Sequence, residues 1–355
     1  MTLLRSGILI VSIILIIFSL TIMIMMMATP SISIEKSGIT IQNHYAYASP
    51  TSPPTPYPTT AVTAVTLADF NFAAVGDWGC TSDTIDTVKN IVDKDPELVL
   101  ALGDLSYNST ANCWLDIIEP IADKTKIAIG NHETDSTKKL KDYMEFFGLE
   151  EQYYSFNYEN VHFTVISTEL PYEEGSEQYN FVNDDLSKTS SNPNIDWIVV
   201  FYHSLAYTSE TNSGKGNRAE KELRETYHPL FAEYDVDFVL QAHNHNYQRS
   251  YPILYNNDNP KNPIITNNDD DDNTDNKNNN YHAPEGQIFA TVGTGGASVY
   301  PFIGQAPYIA NQYAGFGFLN VDVTNNGTTF SGKFYANDGV GSGTTVVKDQ
   351  FTITK

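Results

Sequence analysis

Five apolar segments of the sequence each lead directly into residues that can bind a metal ion. The motifs at their ends are Gly76-Asp77-Trp78-Gly79, Gly103-Asp104-Leu105-Ser106-Tyr107, Gly130-Asn131-His132-Glu133, Tyr202-His203 and Ala242-His243-Asn244-His245. Carboxylate, amide, phenol and imidazole donors suit moderately hard transition metals rather than copper(I). A pair of metal ions about 3.5–4 Å apart needs one bridging carboxylate and separate ligands on each side. Asp104 is the natural bridge, because the neighbouring motifs supply ligands for two sites.

Each motif alone is typical of an ordinary turn or polar loop, but five of them at strand ends predict a metal site. The apolar patterns predict strands at 70–75, 98–102, 126–129, 153–158, 161–167, 195–202 and 236–241, then at 288–292, 316–323, 329–335 and 350–354, the last four suited to an antiparallel sheet. Helical spacing is found near 85–92, 117–121, 140–147 and 219–234. This alternation favours an α/β fold, in which ligands bind at the carboxyl ends of strands.

The motif set resembles that of the calcineurin-like metallophosphoesterases, and more closely that of the purple acid phosphatases. Gly79 stands where the superfamily typically has the histidine of Asp-x-His, and Tyr107 matches the purple acid phosphatase pattern Gly-Asp-x-x-Tyr. Because the first motif loses a histidine and the second gains a tyrosine, the number of metal ligands stays the same. The resemblance covers residues 69–355 and implies a four-layer α/β/β/α sandwich of two mixed sheets flanked by helices. It is closest to the small single-domain form, which has no preceding immunoglobulin-like domain.

The resemblance also implies a role for each motif. A ferric site would use Asp77, Asp104, Tyr107 and His245, and a divalent site holding Fe(II), Zn(II) or Mn(II) would use Asp104, Asn131, His203 and His243. Asn131, His132 and His203 would bind the substrate phosphate, with His132 and Asp104 as the catalytic residues. The implied reaction is hydrolysis of phosphomonoesters, as small molecules or phosphoproteins, by attack of a metal-bound hydroxide. Phosphodiester or nucleotide hydrolysis is the alternative within the superfamily, and a surface-anchored binding protein with a decayed catalytic domain is the alternative outside it.

Two positions depart from the purple acid phosphatase pattern. Ala242 replaces the first glycine of Gly-His-x-His, which could shift that loop. Asn212 stands nine residues after His203, where the family often has a second substrate histidine, and Glu210 is nearby. The group that protonates the leaving alcohol is therefore not identified.

The charge of the chain limits its partners. Its 355 residues include 43 acidic and 20 basic side chains, a formal net charge of −23. This charge disfavours nucleic-acid binding and repels phosphate esters at long range. Phosphate chemistry therefore requires local positive charge, which two bound cations would supply. The sequence does not indicate an oligomeric state.

The N-terminal sequence indicates export. Residues 8–28 are apolar and uncharged and follow Arg5, so residues 1–28 form either a transmembrane anchor or a signal peptide, with Ala46-Tyr47-Ala48 as a distant cleavage site. A Pro- and Thr-rich linker then extends over 29–68 and precedes a catalytic domain at 69–355. The expected location is extracellular or on the cell surface.

Two further features leave alternatives open. Residues 256–280 are rich in asparagine and contain the acidic run Asp269–Asp272, which favours a disordered insertion over a calcium-binding loop. Cys80 and Cys113 each closely follow a metal motif. Export permits a disulfide between them, and two free thiols are equally compatible with the sequence.

Overall fold

A computed structural model of the chain describes residues 69–213, 220–266 and 279–355. The expected signal or anchor segment, the linker at 29–68 and the acidic run Asp269–Asp272 lie outside these residues. Across the three described ranges, no helix is both long and apolar enough to cross a membrane.

Two mixed seven-stranded sheets form the centre of the fold. The first has the strand order β11-β16-β15-β14-β1-β2-β3 and the second the order β13-β8-β12-β7-β6-β5-β4. The strands of the first sheet are β1 (Phe70–Val75), β2 (Leu98–Ala101), β3 (Thr125–Ile127), β11 (Asn280–His282), β14 (Gly317–Thr324), β15 (Thr329–Asn337) and β16 (Thr345–Thr354). Those of the second are β4 (Tyr154–Tyr158), β5 (Val161–Val165), β6 (Trp197–Phe201), β7 (Phe238–Gln241), β8 (Tyr247–Ser250), β12 (Ile288–Val292) and β13 (Ile309–Tyr313).

Parallel strands lie at one side of the first sheet, where β3 is the edge strand, and at the middle of the second. In the first sheet, β1, β2 and β3 are parallel, and β14 pairs with β1 in the antiparallel direction. In the second, β5, β6, β7 and β12 are parallel. The carboxyl ends of these strands carry the five motifs.

Helices cover the outer faces of the sheets. They are α1 (Ser82–Lys94), α2 (Asn112–Ile117), α3 (Asn131–Thr134), α4 (Thr137–Phe147), α5 (Glu177–Ser190) and α6 (Lys221–Glu233), with a 3-10 helix at Glu119–Lys124. Thr81 caps α1 by accepting a hydrogen bond from the Thr84 backbone N–H, while Ser136 and Ser176 cap α4 and α5 in the same way. These caps satisfy amide groups that the first helical turn leaves without partners.

The inner faces of the two sheets share one hydrophobic core. Phe72 of β1 meets Phe163 of β5 edge to face at 5.4 Å, and Phe330 of β15 lies 5.3 Å from Trp197 and 5.2 Å from Phe238. A second cluster lies between the outer face of the second sheet and helices α5 and α6. The predicted four-layer α/β/β/α arrangement is therefore confirmed.

The structure also differs from the sequence prediction in several elements. Strand β12, which we expected in the antiparallel group with 316–354, pairs in parallel with β7 in the second sheet. Helix α5 and strands β8, β11 and β13 were not predicted. Within the expected disordered insertion, β10 (Ile264–Ile265) pairs with β9 (Ile253–Leu254), and β11 begins at Asn280. The edges of region 256–280 therefore contain regular structure.

Cys80 and Cys113 form a disulfide, with their Cα atoms 6.2 Å apart. The disulfide joins the loop after β1 to helix α2, and it resolves the choice that the sequence left open.

Candidate metal centre

The predicted ligands lie on tight loops directly after buried strands. Asp77, Asp104 and His243 each adopt a positive φ, at 59°, 48° and 64°. Residues other than glycine rarely adopt a positive φ. This conformation costs about 1–3 kcal/mol and is concentrated at functional sites. The strained loops turn three side chains from two different sheets toward one region.

The first group of residues centres on the Tyr107 hydroxyl. Its oxygen lies 2.9 Å from Asp77 Oδ1, 3.2 Å from Asp104 Oδ2 and 2.7 Å from His245 Nε2. His245 Nε2 is also 3.3 Å from Asp77 Oδ1. The four side chains proposed for a ferric site thus lie within hydrogen-bond distance of a common point.

The second group includes Asp104, His203 and His243, whose potential ligand atoms lie within 4.8 Å of one another. His203 Nε2 is 3.3 Å from Asp104 Oδ2 and 3.1 Å from His243 Nδ1. Asp104 Oδ2 therefore contacts both groups, which is the position expected of a bridging ligand.

Asn131 and His132 lie at the start of α3, beside the same carboxylate. The Asn131 Oδ1 atom is buried without a hydrogen-bond partner among the described residues. The His132 backbone N–H donates to Asp104 Oδ1 at 2.9 Å, and His132 Nδ1 lies 2.9 Å from Asp135 Oδ2. The His132 side chain is 35% exposed, so it can reach a ligand that enters from solvent.

Burial and mutual charge set the protonation of the cluster. Burial acts to raise the pKa of Asp77 and Asp104, but the neighbouring imidazoles, His245 and His203 above all, outweigh it and lower both pKa values. Burial acts to lower the pKa of His203, and the Asp104 carboxylate reverses this and raises that pKa to about 10. Burial together with the charge on His203 lowers the pKa of His243 to about 4.

Tyr107 is a poor acid in this surrounding. Burial raises the pKa of its phenol well above 10, and the carboxylates of Asp77 and Asp104 raise it further. A bound cation would therefore have to displace protons from the phenol and from the protonated imidazoles, because metal ligands bind in their deprotonated forms.

The residues present fit a pair of metal ions. The donors are oxygen and nitrogen atoms, the set that iron, zinc and manganese accept. Within the described ranges, neither Asp77 nor Asp104 forms an ion pair with a lysine or arginine. The buried carboxylates face imidazoles that a bound cation would deprotonate and replace as the source of positive charge, and the buried Asn131 Oδ1 lacks a hydrogen-bond partner there, a cost that a cation would remove.

Backbone carbonyls fix the orientation of two imidazoles. His203 Nδ1–H donates to Leu102 O at 2.9 Å, and His245 Nδ1–H donates to Ser298 O at 2.6 Å. Each bond leaves Nε2 free to act as a ligand, as is usual for metal-binding histidines. Sequence reasoning missed Ser298, although the Gly-rich segment directly after β12 was a signal for a tight loop.

Glu133 and Lys139 connect the two loops around Asp104, and sequence reasoning also missed them as supporting residues. The buried Glu133 carboxylate accepts backbone N–H bonds from Leu105 and Gly130, both at 2.9 Å. Lys139 Nζ donates to the backbone oxygens of Ser106 and His132. Burial and the Asp104 charge raise the pKa of Glu133 to about 8.

The two positions that depart from the family pattern are accommodated differently. Ala242 is fully buried, and an added Cβ on Gly76 would lie 2.8 Å from the Ala242 Cβ. The methyl group of Ala242 thus fits because Gly76 has none. Asn212 is exposed, and its backbone N–H donates to Pro301 O at 3.1 Å. Among the described residues, no hydrogen bond joins the side chain of Asn212 or Glu210 to the predicted ligands.

The model of the calcineurin-like phosphoesterase family matches residues 70–247, half of the chain, and the chain belongs to this family. Its curated relatives include purple acid phosphatases. Purple acid phosphatase 22 of Arabidopsis thaliana is 30% identical over 213 residues, which cover 54% of this chain and 48% of the relative. Purple acid phosphatase 15 of the same plant is 26% identical over 261 residues, covering 62% and 46%.

A solved structure supports the fold. Purple acid phosphatase PPD1 from yellow lupin seeds superimposes with a TM-score of 0.67 and 23% identity, over 81% of this chain and 54% of that one. The chain spans about half the length of the curated relatives that it matches.

Proposed function

We propose that this protein is an exported, dinuclear-metal acid phosphatase that hydrolyses phosphomonoesters. The observation that carries the proposal is the position of Asp104 Oδ2, 3.2 Å from the Tyr107 oxygen and 3.3 Å from His203 Nε2. One carboxylate oxygen thereby connects a carboxylate–phenol–imidazole group to a second imidazole pair.

This arrangement supports two ligand sets as part of the proposal. Asp77, Asp104, Tyr107 and His245 would hold a ferric ion, and Asp104, Asn131, His203 and His243 would hold Fe(II), Zn(II) or Mn(II). When bound, such ions lower the pKa of a coordinated water and offset the charge on phosphate oxygens.

The chain's own residues position the ester and balance its charge. His132 is exposed at the mouth of the centre, and its ring lies 4.4 Å from that of Tyr107. Its Nδ1 contact with Asp135 orients the ring so that Nε2 faces the Asp104 side of the site, at 3.9 Å from Oδ2. A phosphate oxygen placed there would accept a hydrogen bond from His132, and this preorganised donor would stabilise charge in the transition state.

The Asp104→Asn variant tests this proposal. Purified wild-type protein should retain two metal ions, hydrolyse p-nitrophenyl phosphate and show a violet absorption band from ferric ion and Tyr107. In the variant, we expect metal content and kcat/KM to fall together, the latter by about a hundredfold or more, because even loss of supporting contacts costs 10–100-fold. Asp93→Asn, at an exposed site on α1, is the matched control. Unchanged metal content and activity in Asp104→Asn would show that the proposal is wrong.

The alternative of phosphodiester hydrolysis is tested in the same assay. Dominant turnover of bis(p-nitrophenyl) phosphate over the monoester would favour it. A protein that binds no metal and hydrolyses neither ester would favour a decayed catalytic domain.

Export is part of the proposal, with an extracellular or cell-surface location. It is supported by the apolar segment at 8–28 and by the Cys80–Cys113 disulfide, since disulfides persist in oxidising compartments. The N-terminal anchor or signal, the linker at 29–68 and an acidic insertion within 256–280 complete the proposed organisation.

A further inference from the structure

A groove of about 580 Å³ opens beside the candidate centre. Two of the predicted ligands, Tyr107 and His245, line it together with His132. Asp83, Tyr300 and Phe316 are among its other lining residues. A phosphate held by His132 would therefore have its ester oxygen, and the group attached to it, directed along this groove or out to solvent.

The aromatic part of the lining is rigidly attached to the centre. The Tyr300 ring stacks on His245 with 4.0 Å between centroids and 12° between planes. The Tyr300 backbone N–H also donates to His245 O at 3.0 Å. Phe316 lies partly exposed directly before β14. The two rings provide apolar surface to a planar group, which aromatic side chains bind by stacking or edge contact.

The charge of the groove is unusual for a site that takes phosphate esters. No lysine or arginine lines it. The lining has one acidic side chain, Asp83 in the first turn of α1, which has no ion-pair partner among the described residues. Burial and the nearby Asp86 raise the pKa of Asp83, as expected for a carboxylate that no cation neutralises. A leaving group with a second negative charge would meet repulsion from Asp83 here and no lysine or arginine to offset it.

We propose that the groove binds the leaving group of the substrate and selects phosphomonoesters of neutral or cationic aromatic alcohols over those that carry a further negative charge. Asp83 is the residue that sets the charge preference, and Phe316 contributes to the aromatic preference. This inference rests on the proposed phosphatase function and names the substrate class of the same site.

Three aryl phosphates of similar reactivity test the charge preference: tyramine phosphate, phenyl phosphate and 4-carboxyphenyl phosphate. In the wild-type holoenzyme, kcat/KM should fall in that order. In Asp83→Lys, the ratio of 4-carboxyphenyl phosphate to tyramine phosphate should rise by about tenfold or more, because each reversed charge contact changes the rate by about fivefold at a half-exposed site.

Asp93→Lys is the matched control, since it changes the net charge equally on the same helix but ten residues away, roughly 15 Å along the axis. It should leave the ratio at the wild-type value. Equal ratios in the wild type and Asp83→Lys would overturn the inference, and so would equal shifts in the two lysine variants.

Phe316→Ser tests the aromatic contact independently of charge. KM for phenyl phosphate should rise about tenfold, while KM for glycerol phosphate should stay within twofold and metal content should not change. An equal rise for both esters would contradict a leaving-group contact. Hydrolysis without these preferences overturns only the groove assignment, whereas absence of hydrolysis of every ester removes the proposed function and this inference with it.

Discussion

The Tyr107 hydroxyl contacts three of the predicted ligands at once, so a single oxygen atom determines much of the local geometry. It donates to the Asp77 carboxylate at 2.9 Å and lies 2.7 Å from His245 Nε2, while the His245 Nδ1–H is bonded to Ser298 O. A phenol in this position has two possible roles, as a hydrogen-bonded structural group or as a ligand that would release its proton to solvent when a ferric ion binds its oxygen.

Replacing Tyr107 with phenylalanine separates the two roles. If the phenol is a ferric ligand, the violet absorption band disappears and kcat falls by about tenfold or more, while the divalent ion bound by the His203 group is retained. Metal analysis and the visible spectrum of Tyr107→Phe measure this outcome, with Tyr313→Phe as a control on a partly buried tyrosine of β13. A violet band that survives in Tyr107→Phe would contradict phenolate ligation.

The candidate ligands could be selected from the sequence because side-chain chemistry and strand ends are both visible there. Asp77, Asp104 and His203 follow uninterrupted apolar runs, and the structure brings them together as expected. The acceptor that fixes His245 was not predictable, because it is the backbone oxygen of Ser298, and any residue can supply a carbonyl. Which backbone carbonyl lies near His245 depends on the path of the loop after β12, and no side-chain pattern in the sequence specifies that path.

At the scale of the elements, the loops after β1 and β7 pack so closely that there is room for only one methyl group between Gly76 and Ala242. Besides the Ala242 Cβ at 2.8 Å, an added Cβ on Gly76 would lie 3.0 Å from the Leu102 Cβ and 3.1 Å from its backbone oxygen. Gly76 is not among the residues with a positive φ, so its backbone would permit alanine. Steric contact alone therefore requires a glycine at position 76 while position 242 is alanine.

A double-mutant cycle tests this contact. We expect Gly76→Ala to lower the free energy of unfolding by about 1–3 kcal/mol through overpacking, and Ala242→Gly to lower it by about 1 kcal/mol through greater chain entropy. The double variant should recover part of the first loss, with a coupling of about 1 kcal/mol, since residues in direct contact are not additive. Urea unfolding of the four proteins measures the coupling, and strict additivity would show that the two loops do not compete for this space.

The elements missed from the sequence share a physical cause. Strands β8 (YQRS) and β13 (IANQY) have no apolar alternation, and hydrogen bonds to neighbouring strands hold them in the sheet. Helix α5 has only a few apolar positions among polar ones, and its burial against the second sheet becomes evident only in the folded chain. Strand β12 was predicted as a strand but given the wrong partner, because an apolar run does not specify which sheet it joins.

At the scale of the whole molecule, two opposing effects act on the stability of the fold as the pH falls from neutral to acid. Protonation of carboxylates reduces the net charge of −23 and with it the self-repulsion of the folded state. His228 acts in the opposite direction. It is buried between α6 and the second sheet, with Nδ1 at 2.7 Å from the Tyr207 hydroxyl and Nε2 at 3.0 Å from Gln287 Oε1. Burial lowers the pKa of His228 from 6.5 to about 4.

The sign of the His228 effect follows from where its proton binds. Between pH 6.5 and 4 the unfolded chain takes up a proton at His228 and the folded chain does not, so stability falls as the pH decreases through this window. The loss at pH 4 relative to pH 7 is about 3 kcal/mol for this residue. In His228→Gln the loss should vanish, so that the unfolding free energies of variant and wild type converge by that amount between pH 7 and 4. His282→Gln, at an exposed site, is the control and should keep the wild-type pH dependence of the unfolding free energy. Urea unfolding measures these free energies. Parallel plots of unfolding free energy against pH for wild type and His228→Gln would show that His228 is protonated in the folded state.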